Sequence, residues 1–144
     1  MENPLSSQPP QPSLGWPLDC IPGLALEDCR KLQSAGLFTT ASLLKQTRTP
    51  QQVQQLAAQL QMPDRWVRKW KALAELSELP SVGYQYCGLL LHGGVASVAQ
   101  LALMQTHTLH RQILRLQVTV LQRRDLCPSP GVVAQWIQEA QQRR

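Results

Sequence analysis

No stretch of this 144-residue chain approaches the ~18 consecutive apolar residues of a membrane-spanning helix, so a helical membrane protein is not expected. The amino terminus lacks a basic segment followed by an apolar run, so no secretory signal is expected either. Charged residues are scarce, at 16% against the usual ~25%, and aromatic residues reach only 5%. The apolar share of 43% still suffices for a core, and that argues against a fully disordered chain. There is no Cys-x-x-Cys pair and no glycine-rich phosphate loop. The four cysteines, Cys20, Cys29, Cys87 and Cys127, are too few and too scattered for a disulfide scaffold, and read as reduced thiols of a cytoplasmic protein.

Glutamine fills the place of the missing charge: 20 glutamines stand beside 24 leucines, both tolerant of helix. No segment alternates with period two, so the expected fold class is all-α. The net charge of +5 is uneven. Residues 1–78 hold eight basic and seven acidic side chains, whereas residues 79–144 hold six and two. A basic excess favours polyanionic partners, though it equally serves solubility. Residues 1–15, rich in Pro, Ser and Gln, read as a disordered tail that buries too little to offset its ordering entropy.

The chain repeats itself. A shift of 58 residues lays Ile21-Pro22 on Leu79-Pro80, Cys29 on Cys87, Leu32 on Leu90, Gly36-Leu37 on Gly94-Val95, Thr39 on Ser97 and Leu43 on Leu101. With a small insertion, Val67, Trp70 and Ala74 match Val133, Trp136 and Ala140. Such self-similarity predicts two related units, residues 16–78 and 79–144, each made of short helices. Helices are expected over Leu24 to Ala35, after the Thr39-Thr40 cap, from Thr49-Pro50 to about Leu60, and from Pro63-Asp64 onward. In the second unit they are expected over Tyr84 to His92, from Ser97 to Met104, from about Thr108 to Arg123, and after Ser129-Pro130. Gly36 and the Gly93-Gly94 pair supply the stops. Cys29 and Cys87 are expected at equivalent buried positions.

Ile21-Pro22-Gly23-Leu24-Ala25 and Leu79-Pro80-Ser81-Val82-Gly83 read as turns between paired helices, with Ala35-Gly36-Leu37 and Thr39-Thr40 following the first. Together these segments resemble tandem helix-hairpin-helix proteins. More closely, residues 16–142 resemble a largely bacterial family known only as a domain of unknown function. The further residues carrying that likeness are Trp70, Ala74-Glu75-Leu76, Leu89-Leu90-Leu91, Gly94-Val95 and Trp136-Ile137. The resemblance implies paired helix-hairpin-helix units over nearly the whole chain, and it implies no activity.

In a phosphate-binding hairpin, bare backbone amides at a helix start hold the anion. Each hairpin here keeps one of the two glycines, Gly23 before Ala25 in the first and Gly83 after Ser81 in the second. Glu27 and Asp28 follow the first hairpin and repel an anion, so it reads as structural. Tyr84, Gln85 and Tyr86 follow the second, which leaves Gly83 and Tyr84 as candidate nucleic-acid contacts. Arg111 and Arg115, four apart on one helix face, extend that candidate surface with Arg123 and Arg124, and Arg143-Arg144 close the chain. An ordinary solvated face explains the same arginines.

Trp70 has a repeat partner in Trp136 and reads as core. Trp66 has none and stands among Arg65, Arg68, Lys69 and Lys71, so it is a candidate protein-interaction anchor or a covered core residue. His107 and His110, or Cys87 and His92, are too few for a metal site. No nucleophile stands beside a base in a recognised catalytic motif. The expectation is a non-enzymatic binding module without cofactor, metal or small-molecule substrate. Sequence-independent binding of a DNA or RNA backbone is preferred slightly over a protein-interaction scaffold that has lost phosphate binding.

Overall fold

A computed structural model describes residues 15–21, 24–116 and 128–143. They form a short 3-10 turn, Leu18–Cys20, followed by α1 (Leu26–Ser34), α2 (Thr40–Lys45), α3 (Pro50–Leu60) and α4 (Asp64–Ser77). Then come α5 (Gly83–His92), α6 (Val98–Ala102), α7 (Thr106–Arg115) and α8 (Pro130–Arg143). The protein is all-α. Among the described residues, the sole extended pairing is an isolated antiparallel bridge between Pro17 and Thr39.

The 58-residue repeat is legible in individual hydrogen bonds. Just beyond α1, Gly36 takes a φ of 85°, and just beyond α5, Gly94 takes a φ of 98°. Leu37 N–H then donates back to Leu32 O, and Val95 N–H to Leu90 O, each at 2.9 Å. This left-handed stop satisfies carbonyls that the last turn would otherwise orphan, and it favours glycine because a Cβ is strained there. The next helix start is shared too. Thr39 Oγ1 accepts from Ser42 N–H at 3.2 Å, and Ser97 Oγ accepts from Gln100 N–H at 3.0 Å. Thr49 and Gln52 form a reciprocal capping box in front of α3, with Pro50 in its first turn.

Two apolar clusters follow from this arrangement. Cys29, Leu32, Leu43, Val53, Leu56, Val67 and Trp70 belong to the first. Cys87, Leu90, Leu101, Leu109, Ile113, Val133 and Trp136 belong to the second. Each large side chain so buried contributes roughly 1.5–3 kcal/mol. Helix α4 serves both. Val67, Trp70 and Ala74 lie in the first cluster, and Leu73 and Leu76 in the second. Ile21 breaks the repeat, for it joins Leu79 in the second cluster. A polar tie adds to this shared helix: Glu75 Oε1 accepts from Val98 N–H, in the first turn of α6, at 2.7 Å.

Three expectations meet the structure differently. Helix α7 starts at Thr106 rather than near Thr108, and its expected continuation to Arg123 lies outside the described residues beyond Leu116. The helix after Ser97 ends at Ala102, two residues before Met104. The expected disordered tail lies outside the described residues except for Gly15, which is buried. The chain is already pinned one residue later, where Trp16 N–H donates to Thr40 Oγ1 at 2.9 Å and Thr40 N–H to Trp16 O at 2.8 Å.

Candidate functional site

The turn into α5 carries the most developed geometry. Val82 N–H and Gly83 N–H both donate to Leu79 O, at 3.0 and 2.9 Å, and Gly83 takes a φ of 55°. The outward amide of the turn belongs to Ser81, and a carboxylate from α8 holds it. Ser81 N–H donates to Glu139 Oε1 at 3.0 Å, and Ser81 Oγ donates to Glu139 Oε2 at 2.6 Å. Charge-assisted bonds of this kind are stronger than neutral ones. Trp136 Nε1 then donates to Ser81 O at 3.1 Å, so α8 grips both sides of one residue.

Trp16 closes the other side. Its Nε1 donates to Ser77 O at 2.8 Å, and its ring stands edge-on to Tyr84 with centroids 4.8 Å apart. A Cβ added at Gly83 would lie 3.4 Å from Trp16 Cζ2. Gly83 is therefore buried beneath an indole, and Tyr84 is half-buried against it. Neither Trp16 nor Glu139 stands out in the sequence as part of this turn. The available signal for Glu139 is its repeat register: the Trp70–Trp136 match sets it against Leu73, a buried apolar residue.

The turn before α1 offers less. Pro22 and Gly23 lie outside the described residues. Ala25 is the exposed N-cap of α1, and Glu27 and Asp28 occupy the first turn, where acids suit the helix dipole.

Helix α7 has a buried side formed by Leu109 and Ile113, and an exposed side carrying His107, Arg111 and Arg115. A shallow groove of about 430 Å³ runs beside it, lined by Thr106, His107, His110, Arg111, Leu114 and Pro130. Arg123, Arg124 and Arg144 lie outside the described residues.

Trp66, in the first turn of α4, is 40% exposed. Two cations face its ring, Arg65 at 5.9 Å and Lys69 at 5.4 Å from the centroid. Arg68 pairs instead with Asp64 at 3.6 Å. Trp70 points the other way and is buried, and among the described residues its Nε1 has no hydrogen-bond partner.

The described thiols differ in access. Cys20 is exposed, whereas Cys29 and Cys87 are buried. Burial pushes the Cys87 thiol up to about 12, against smaller opposing effects from backbone hydrogen bonds. Desolvation also raises Cys20 and Cys29, helped in both by the charge of Asp19. Among the described residues, no three histidine, cysteine or carboxylate side chains converge on a possible metal position. No helix of the described residues is long and apolar enough to cross a membrane.

The family model DUF4332, a domain of unknown function, matches residues 22–143. No curated protein and no solved structure matches the chain.

Proposed function

This chain belongs to the DUF4332 family, a domain of unknown function, and we propose that it acts as a non-enzymatic protein-interaction module built on paired helix-hairpin-helix units. It works in the cytoplasm without a cofactor. One observation carries the reading: the Ser81 amide of the second hairpin already holds an anion of the chain's own, the Glu139 carboxylate. A phosphate approaching this turn would have to displace that carboxylate and overcome its charge. Trp16, packed over Gly83, covers the same turn and removes the close backbone approach that a nucleic-acid strand needs. At the first hairpin, Glu27 and Asp28 present like charge to any phosphate. On these grounds we weigh the protein-interaction class above the nucleic-acid class that the sequence slightly prefers. The hairpins serve as structural joints, and the exposed helix faces serve as contacts.

A second reading rests on α7. Arg111 and Arg115 are exposed on one face of a chain with net charge +5, and they suit a nucleic-acid backbone without help from either hairpin. Affinity capture from a lysate of the protein's own cells, with and without nuclease, separates the two. The proposal expects a protein partner that survives nuclease. Loss of every partner on nuclease treatment would overturn it.

A further inference from the structure

We propose that the first two turns of α4 are a docking surface for an acidic segment of a partner protein, centred on Trp66 between Arg65 and Lys69. The inference rests on the protein-interaction reading above and names the chemistry of the partner.

The surface is charged in one sense. Residues 64–71 hold Arg65, Arg68, Lys69 and Lys71 against the single acid Asp64, and Asp64 is taken by Arg68. Arg65 and Lys69 stand four apart, so their like charges meet on the same helix face and repel. Among the described residues no carboxylate pairs with either. The neighbouring α3 offers none, because its eleven residues, Pro50–Leu60, carry no charge at all. What holds the two cations near one another is the ring of Trp66, whose face attracts positive charge. The arrangement is a pair of uncompensated cations gathered on an exposed tryptophan.

Carboxylates complete that arrangement where it stands. An acidic segment can place one carboxylate on Arg65 and another on Lys69, and seat an apolar side chain on the exposed part of Trp66. Arginine and tryptophan are among the residues enriched at binding hot spots. A nucleic-acid strand fits less well. Its advantage on a tryptophan is base stacking on the ring face, and here two cations already face the ring. A base stacking on a face that a cation already occupies would have to displace it. An acidic segment keeps both.

The test uses the full chain and fluorescence anisotropy. The probes are a labelled peptide alternating glutamate with leucine, its lysine–leucine counterpart and a labelled oligothymidine. The proposal expects saturable binding of the glutamate peptide alone. Trp66→Ala and Lys69→Glu should each weaken it by about tenfold or more, in keeping with a hot-spot centre. Both positions are on the surface side of α4, so circular dichroism should show unchanged helicity and the loss can be assigned to contact. Absence of saturable glutamate-peptide binding overturns the proposal, as does binding that both variants leave intact. Oligothymidine binding that the same variants abolish, with no peptide binding, overturns it in favour of a nucleic-acid surface. Failure here is distinct from failure of the wider reading. If Lys69→Glu still captures a nuclease-resistant protein from lysate, only the α4 assignment falls.

Discussion

Glu139 holds Ser81 by two atoms, its carboxylate accepting from the backbone amide at 3.0 Å and from the hydroxyl at 2.6 Å. Fifty-eight residues separate them in sequence, and the bond closes α8 onto the turn before α5. An anion-binding turn with its own anion built in is a joint. The pairing holds α8 to the turn before α5, and it explains why the one carboxylate of that helix is half-buried.

Removing the carboxylate should loosen the joint. Glu139→Ala leaves the Ser81 amide and hydroxyl without their acceptor, and hydrogen bonds to charged groups contribute about 1.5–3 kcal/mol each way. The site is partly buried and water can reach it, so a loss of about 1–2 kcal/mol is expected. Glu139→Gln should lose less, since the amide oxygen can still accept one bond. Urea unfolding at neutral pH measures both; a Glu139→Gln variant as stable as the wild type would show that the carboxylate's charge is irrelevant, and an unchanged Glu139→Ala would show that the pairing holds nothing.

The two repeated tryptophans should respond differently to the same change. Trp136 Nε1 donates to Ser81 O, whereas Trp70 Nε1 has no partner among the described residues. Both indoles are buried, so phenylalanine leaves a cavity in either place. Only Trp136→Phe also breaks a hydrogen bond and strands a carbonyl. It should cost about 1 kcal/mol more than Trp70→Phe, the net value of a typical hydrogen bond. Chemical denaturation of the two variants in parallel gives the difference, and a larger loss at Trp70 would contradict the assignment.

These residues also show where the fold can and cannot be read from sequence. Gly36 and Gly94, Thr39 and Ser97, and Cys29 with Cys87 are all recognisable as repeat pairs, because caps and helix stops depend on neighbours within about six residues. The all-α class and most helix bounds follow from those local signals. Trp16 is different. It follows a Pro-rich stretch of sequence, and nothing local announces that its indole will donate to Ser77, 61 residues away. Nor does periodicity show that Ile21 packs with Leu79 in the second cluster. At the candidate site the exposure of Trp66 is foreshadowed by its lack of a repeat partner, whereas the covering of Gly83 is a product of long-range packing.

Thiol chemistry gives a pH test. Burial raises Cys87 from 9.0 to about 12, so the folded protein keeps it neutral where the unfolded chain would ionise. This contribution is fully present below the ordinary thiol value and is lost as pH climbs from 9.0 toward about 12. The melting temperature should therefore fall less steeply above pH 9 in Cys87→Ala than in the wild type. Peptide mapping after native alkylation should find Cys20 modified ahead of Cys29 and Cys87, in line with their exposure. Early modification of Cys87 would show that its helix opens readily.

The most direct measurement is a titration of the wild-type protein with labelled duplex DNA at ~50 mM salt, where backbone binding is strongest. With Glu139 on Ser81 and Trp16 over Gly83, the turn into α5 is closed to a phosphate, and the protein-interaction proposal expects no saturable binding. Contradiction would be tight binding that falls with salt at a log–log slope of about −0.9 per phosphate neutralised, and that Arg111→Ala with Arg115→Ala flattens by up to about two units.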